Sequence, residues 1–190
     1  MKMIGVVLAG GRSSRMGQDK ALLAHKNVNM LAFSEKVLRD CGCDEVLISR
    51  NEKGFIQDSI ENVGPLGGIY SVLNHLEADA WLVILPVDLP CIDAQTLATL
   101  LNYSTAHSKA SYYADHPLPC VVPYSIELKQ QLKDRLTQTH KRSVKSMLHW
   151  LGAHELTVQS QTRLINTNTP EEWQNVTHQL KHHSRSHYGM

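Results

Sequence analysis

Ile4-Gly-Val-Val-Leu-Ala9, followed at once by Gly10-Gly11, is the stretch that decides the fold class. A short run of apolar and small residues with β-branched valine and isoleucine is typical of a strand that is buried on both faces. The two glycines end the strand, and the backbone there can approach a ligand closely because no Cβ atom intervenes. Since open α/β sheets bind ligands at the carboxyl ends of their strands, we predict a binding loop directly after this strand.

Further strands alternate with helices along the first half of the chain. Glu45–Ser49 and Ala80–Pro86 are mostly apolar and short, as expected for buried strands. Apolar residues at helical spacing predict a helix over Asn29–Cys41 and another that opens at Gly64-Pro65. Uniformly apolar strands joined by helices are typical of a parallel sheet covered on both faces. The sequence therefore predicts an α/β protein.

Beyond residue 110 the pattern is less regular, but it still predicts separate elements. The predicted strands are Cys120–Tyr124 and Glu155–Val158. The predicted helices are Ser125–Leu136 and Ser143–Leu151. Before this region, Asp93 is expected to cap a helix that runs through Leu101. Near the end of the chain, Thr169-Pro-Glu-Glu172 has the residue order of a capping box, which predicts a helix start.

Length and composition fit one globular domain over residues 1–190, with an expected disordered tail at 182–190. The 190 residues are 42% hydrophobic and 19% charged, which is enough apolar material to bury a core. A formal net charge of +1 provides no general basic field for nucleic acid. Without an apolar stretch of membrane-spanning length or a signal segment, we expect a cytoplasmic protein that binds neither nucleic acid nor membrane. The cysteines are expected to be reduced thiols: Cys41, Cys43, Cys91 and Cys120.

The loop after the first strand carries Arg12, Arg15 and Lys20, with Gly17 between them. It matches neither G-x-G-x-x-G nor G-x-x-x-x-G-K-[ST], which disfavours a dinucleotide-binding protein and a P-loop NTPase. Backbone N–H groups, arginine forks and a lysine ammonium nevertheless suit phosphate oxygens. The alternative is a strand–helix turn with solvated basic residues. The combination of glycines and cations favours a phosphate-binding loop.

Three later segments match one family in the same order as this loop. They are Gln57-Asp58 with Gly64-Pro-Leu-Gly-Gly-Ile69, Leu85-Pro-Val-Asp88-Leu-Pro90, and Asn166-Thr-Asn168-Thr-Pro-Glu-Glu172. Together with Leu8–Lys20 they resemble the molybdenum cofactor guanylyltransferases. The resemblance implies a three-layer, Rossmann-like nucleotidyltransferase fold with a mostly parallel sheet. It also implies an enzyme that uses Mg²⁺ to transfer GMP from GTP to the terminal phosphate of molybdopterin, releasing pyrophosphate.

The resemblance also implies the roles of individual side chains. Arg15, Lys20 and Asp88 form the expected catalytic set, with Asp88 as the metal ligand, because a carboxylate at a strand end beside a phosphate loop suits Mg²⁺. Asp58 is expected to accept hydrogen bonds from guanine or ribose, or alternatively to cap the turn before Ser59. Further nucleotide contacts are expected from strand ends and turns: Leu8, Ala9, Gly10, Gly11, Ser49, Asn51 and Gly64.

The C-terminal half is expected to bind the pterin, and the N-terminal half the nucleotide. Asn166 and Asn168 are the predicted pterin contacts, with an Asx-turn before a helix as the alternative use of these residues. Transient contacts with cofactor biosynthesis proteins or molybdoenzyme chaperones are the partners that the resemblance implies, besides GTP and molybdopterin.

Other functions on the same pattern stay open at this point. A molybdopterin cytidylyltransferase tends to read L-A-A-G in its loop, whereas Gly10-Gly11 and Gly64–Gly68 favour guanine here. A sugar-phosphate nucleotidyltransferase is disfavoured by the segment that begins at Asn166. A non-catalytic nucleotide or cofactor chaperone could share the fold, but the presence of both Lys20 and Asp88 favours an enzyme.

Overall fold

The computed structural model describes residues 1–10, 19–25, 27–138 and 143–176. The strands are β1 (Lys2–Leu8), β2 (Ala24–His25), β3 (Val28–Asn29), β4 (Glu45–Ser49), β5 (Ala80–Pro86), β6 (Ser111–Tyr113), β7 (His116–Tyr124) and β8 (His154–Leu156). The α-helices are α1 (Met30–Asp40), α2 (Pro65–Leu73), α3 (Ala94–His107), α4 (Ile126–Gln138) and α5 (Val144–Trp150). Short 3-10 turns cover Lys20–Leu22 and Gln161–Leu164, and the chain is again helical at 170–176.

Six strands form one sheet in the order β4-β1-β5-β7-β6-β8. β1 pairs in parallel with both β4 and β5, and β6 pairs in parallel with β8. β7 runs antiparallel to both of its neighbours. The carboxyl ends of β1, β4 and β5 therefore meet at one edge of the sheet. Their register places Leu8 beside Ser49 on one side and Pro86 on the other, so the loops after these strands emerge together.

Hydrophobic cores lie on both faces of the sheet. Alternate residues of β5 enter opposite cores: Val83 and Leu85 pack with α1 and α3, whereas Leu82 and Ile84 pack with α2, α4 and α5. This explains why the strand is apolar throughout. Each fully buried aliphatic side chain contributes about 1.5–3 kcal/mol, so both faces stabilise the sheet. The predicted three-layer α/β fold with a mostly parallel sheet is confirmed.

Local sequence signals locate most elements of the N-terminal half. β4 and β5 have the predicted bounds, and Asn29 caps α1 by accepting a hydrogen bond of 2.8 Å from the Ala32 N–H. Asp93 caps α3 as expected, but the helix continues past Leu101 to His107. In these extra turns Ser104, a buried polar residue that weakens the apolar pattern of the helix, shares a hydrogen bond of 2.7 Å with Ser111 of β6.

The C-terminal half departs further from the predicted elements. β7 begins at His116 rather than Cys120, although Pro117 and Pro119 are unusual in a strand. The ladder with β5 covers only Cys120–Tyr124, so neither proline removes a donor from that ladder. β6 was not predicted, because three residues are too few to show a period. β8 begins one residue before the predicted Glu155 and ends at Leu156.

Candidate active site

A cleft of about 470 Å³ opens at the carboxyl edge formed by β1, β4 and β5. This volume and position are usual for a small-molecule site of an α/β protein. The cleft brings together most of the described residues that the sequence predicts to bind nucleotide or metal: Leu8, Ala9, Gly10, Lys20, Asn51, Asp58, Gly64 and Asp88. The parallel register explains this convergence, since these residues lie at strand ends, in the segments that follow β1, β4 and β5, or at the N-cap of α2.

Lys20 is the centre of the polar contacts in the cleft. Its Nζ atom lies 3.1 Å from Asp88 Oδ2 and 2.7 Å from Asn168 Oδ1. The side chains of Lys20 and Asp88 are both only 17% exposed, so water screens this ion pair less than it would a surface pair. The sequence predicted each of the three residues separately, and the structure places their side chains within hydrogen-bond distance.

Asp88 has one carboxylate oxygen left for a ligand. Its Oδ2 accepts from Lys20, whereas its Oδ1 is buried and has no hydrogen-bond partner among the described residues. A buried carboxylate oxygen without a donor is costly unless a ligand or ion satisfies it. Hard oxygen ligands of this kind suit Mg²⁺, so the residues present fit a divalent cation that a bound triphosphate would share. Within the described ranges no cluster of three or more potential metal-ligating side chains occurs, so Asp88 would hold the ion largely with substrate oxygens.

The segment that contains Asn168 is tied to the end of β5 through its backbone. The Thr167 N–H donates to the Asp88 carbonyl at 3.0 Å, and Thr167 is 1% exposed. The predicted capping box follows: the Glu172 N–H donates to Thr169 Oγ1 at 3.2 Å, and Glu172 accepts from the N–H groups of Asn168 and Thr169. Asn168 thus has a fixed backbone beside the cleft. Asn166 is exposed and does not line the cleft.

Asn51 and Asp58 hold each other in place across the loop after β4. Asn51 Nδ2 donates to Asp58 Oδ2 at 3.0 Å, and the Asp58 N–H donates to Asn51 Oδ1 at 2.8 Å. Asp58 Oδ1 is buried and lacks a hydrogen-bond partner in the described part of the chain. This pair thus leaves one acceptor of Asp58, a residue that lines the cleft, without a hydrogen bond within the described residues. The contact between Asn51 and Asp58 could not be read from the sequence, because the loop between these two residues, which lie seven positions apart, has no periodic pattern.

The start of α2 depends on glycine at its N-cap and at a second position within its first turns. Gly64 is the N-cap of α2 with a φ of +65°, a conformation that favours glycine, and it lines the cleft. Gly68 lies against Ser49, because a Cβ atom at residue 68 would be 2.4 Å from Ser49 Oγ. Ser49 is 1% exposed and does not line the cleft. Ser49 packs against α2 instead, so the cleft geometry does not support its predicted contact with the base or ribose.

Arg50 and Asp19 are polar residues that the sequence reading did not single out. Asp19 lines the cleft, and Arg50 binds its carboxylate with both terminal guanidinium nitrogens. Hydrogen bonds to Glu52 and then to Asp19 raise the pKa of Arg50, against the opposing effect of burial. The available signal was an arginine directly after the predicted strand β4, but no neighbouring residue indicates that its partner lies 31 positions earlier in the chain. Asn62, Pro65 and Leu118 also line the cleft without having been predicted.

Several predicted positions lie outside the described residues. They are the loop residues Gly11, Arg12, Arg15 and Gly17, and the tail at 182–190. The roles expected of Gly11 and Arg15 therefore stay predictions.

None of the described helices combines the length and the apolar character that crossing a bilayer requires.

Known proteins resemble this chain over nearly its whole length. Residues 5–157 match the family model of the MobA-like NTP transferase domain. The chain is 37% identical over 180 residues to the molybdenum cofactor guanylyltransferase of Xanthomonas euvesicatoria pv. vesicatoria (strain 85-10), covering 92% of this chain and 94% of that protein. It is 31% identical over 194 residues to the probable molybdenum cofactor guanylyltransferase of Bacillus cereus (strain B4264), covering 90% and 94%.

The fold is also similar to that of a solved structure. The crystal structure of molybdopterin-guanine dinucleotide biosynthesis protein A from Archaeoglobus fulgidus superposes with a TM-score of 0.74 at 19% identity. That superposition covers 94% of this chain and 98% of the other.

Proposed function

The chain belongs to the family of MobA-like NTP transferases, and we propose that it transfers GMP from GTP to the terminal phosphate of molybdopterin. The products are molybdopterin guanine dinucleotide and pyrophosphate. The membership confirms the resemblance that the sequence motifs indicated, and it makes the chain a nucleotidyltransferase. The relatives named as guanylyltransferases support GTP as the donor.

The convergence of Lys20, Asp88 and Asn168 carries the proposal. These residues come from the loop after β1, the end of β5 and the segment before the C-terminal helical residues. Donor and acceptor phosphates must meet at one point for the transfer, and these are the segments that the family motifs assign to phosphate, metal and pterin. A protein that only bound a nucleotide would not require the pterin-side segment to contact the phosphate-side lysine.

The reaction needs no nucleophilic side chain. An oxygen of the molybdopterin phosphate attacks the α-phosphorus of GTP, and the bond to the bridging oxygen of the β-phosphate breaks as pyrophosphate leaves. Mg²⁺ would supply charge neutralisation on the triphosphate when bound. Asp88 would hold the ion through Oδ1, and Lys20 would pair with phosphate oxygens. Arg15 would stabilise the leaving pyrophosphate. Positioning and electrostatic complementarity therefore account for catalysis.

Guanine recognition is assigned to Asp58. Its free Oδ1 is an acceptor, and Asn51 orients the carboxylate. Guanine offers two neighbouring donors, N1–H and the N2 amine, to a carboxylate, whereas cytosine offers only its N4 amine. Leu8, Ala9, Gly10 and Gly64 would approach the nucleotide through backbone groups, together with Gly11. A molybdopterin cytidylyltransferase is the second candidate, and the loop glycines disfavour it.

Asn166 and Asn168 would donate to the pterin, which places the acceptor in the C-terminal half. A cytoplasmic location and transient contacts with cofactor biosynthesis or molybdoenzyme chaperone proteins belong to the same proposal.

Calorimetric titration of the protein with GTP, CTP and ATP, each with Mg²⁺, tests the donor. We expect GTP to bind at least tenfold more tightly than CTP, which corresponds to about 1.4 kcal/mol. Tighter binding of CTP would overturn the guanylyl assignment. Release of pyrophosphate only when molybdopterin and GTP are both present would establish transfer, and binding without release would favour a non-catalytic chaperone.

A further inference from the structure

Arg50 is a charged side chain in an unusual place. Within the described residues it is the one lysine, arginine, aspartate or glutamate that is buried, with 3% of its surface exposed. It follows the last residue of β4, and its backbone N–H donates to the Ile56 carbonyl at 2.8 Å. Burying a charge is costly unless it is paired and hydrogen-bonded. The burial of this charge therefore requires compensating contacts.

Two carboxylates pair with the terminal nitrogens of the guanidinium group, whereas its buried Nε has no hydrogen-bond partner among the described residues. Nη1 lies 3.4 Å from Asp19 Oδ1, and Nη2 bonds to Asp19 Oδ2, so the contact with Asp19 is bidentate. Nη2 also lies 2.6 Å from Glu52 Oε1. The two partners differ in position, because Asp19 lines the cleft whereas Glu52 is 56% exposed and does not.

Asp19 in turn holds the turn that presents Lys20. Its Oδ1 accepts from the Ala21 N–H at 3.0 Å, which caps the 3-10 turn Lys20–Leu22. The same carboxylate is thus bound by Arg50 on one side and by the turn on the other. Any displacement of Asp19 would move the backbone of Lys20, whose ammonium must stay near Asp88.

Arg50 also affects the negative charge of Asp19. A carboxylate in a cleft that receives a triphosphate repels it, and this repulsion is strong where water is partly excluded. Arg50 places a permanent positive charge against that carboxylate. Since its guanidinium does not deprotonate in proteins, the neutralisation holds at every physiological pH.

From these contacts we infer that Arg50 is a positioning residue for the nucleotide: it neutralises Asp19, so that this carboxylate can cap the Lys20 turn while the cleft accepts a triphosphate. The inference rests on the proposed function only in taking the cleft as the triphosphate site. It does not depend on which base is bound.

The test compares binding of inorganic tripolyphosphate with Mg²⁺ by calorimetry in the full-length protein. Arg50→Met should weaken binding about tenfold or more, and this loss should shrink as salt rises, because the exposed Asp19 charge is screened. In Asp19→Asn/Arg50→Met most of the loss should disappear. Glu52→Gln is the matched control, since it removes the charge of the partner that lies outside the cleft, and its affinity should stay within about twofold of wild type.

Arg50→Lys and the single variant Asp19→Asn keep the test decisive if Arg50→Met unfolds. Arg50→Lys retains the charge but not the fork, so we expect a smaller loss that depends less on salt. Asp19→Asn retains a capping oxygen and removes the repulsion, so affinity should equal or exceed that of wild type. Weaker binding by Asp19→Asn, or salt-independent loss in Arg50→Met, would overturn the inference. Because tripolyphosphate carries no base, a failed guanine assignment would leave these ratios intact.

Discussion

Lys20 Nζ lies 2.7 Å from Asn168 Oδ1, although 148 residues separate the two in the chain. The same ammonium lies 3.1 Å from Asp88 Oδ2. One cation therefore joins the groups predicted for phosphate, metal and pterin. Because Lys20 contacts both other side chains, a substitution of Asn168 should also change the affinity for the nucleotide.

Replacing Asp88 by asparagine should abolish metal-dependent binding while the fold is retained. The amide keeps the shape of the side chain but loses the anionic Oδ1 that suits Mg²⁺. We expect turnover to fall on the order of 10²–10³-fold, together with loss of the Mg²⁺ dependence of GTP binding. Asp79→Asn, at the exposed residue just before β5, is the control. Wild-type Mg²⁺ dependence in Asp88→Asn would remove Asp88 from the metal site.

Replacing Asn168 by alanine should impair use of the pterin acceptor more than binding of GTP. The substitution removes both a polar group for the pterin and one acceptor for Lys20. We expect the KM for molybdopterin to rise about tenfold, as for one lost hydrogen bond to a polar substrate, and the Kd for GTP to change by about two- to fivefold. Steady-state kinetics and calorimetry measure the two effects. Asn102→Ala, on the exposed side of α3, is the control. An unchanged KM for the pterin would place the acceptor elsewhere.

Replacing Asp58 by asparagine should lower the preference for GTP over CTP. The carboxylate offers acceptors only, whereas an amide presents a donor to the guanine N1–H. We expect the ratio of the two affinities to fall at least tenfold, about 1.4 kcal/mol. Calorimetry with both nucleotides measures the ratio, and the exposed Glu61→Gln should leave it unchanged. If Asp58→Asn kept the full preference, guanine would be read by other groups.

Replacing Gly68 by alanine should destabilise the protein through one contact. The new Cβ would lie 2.4 Å from Ser49 Oγ, so either the buried serine or the helix must shift. We expect the free energy of unfolding to fall by about 1–3 kcal/mol in urea titrations. Ser49→Ala should recover part of this loss in the double variant, because it removes the clashing oxygen. An equal loss in the single and double variants would show that another contact limits residue 68.

Local residue patterns determined the N-terminal elements and the candidate residues. β5 is apolar throughout because both of its faces are buried, and the caps at Asn29 and Thr169 act over three residues. Strand ends, glycine turns and capping boxes are set by neighbouring residues, so they can be recognised in a sequence. The placement of Lys20 and Asp88 at the carboxyl edge follows from the same patterns.

The tertiary structure alone decided which of these residues touch. The bond between Lys20 and Asn168, the bidentate pair of Arg50 with Asp19, and the burial of Ser49 against Gly68 depend on the order and register of β4, β1 and β5. The reversed strand β7 and the short β6 likewise form only through pairing with their neighbours. The physical reason is range: backbone conformation responds to residues a few positions away, whereas a side-chain contact across 148 residues exists only after the sheet has brought its loops together.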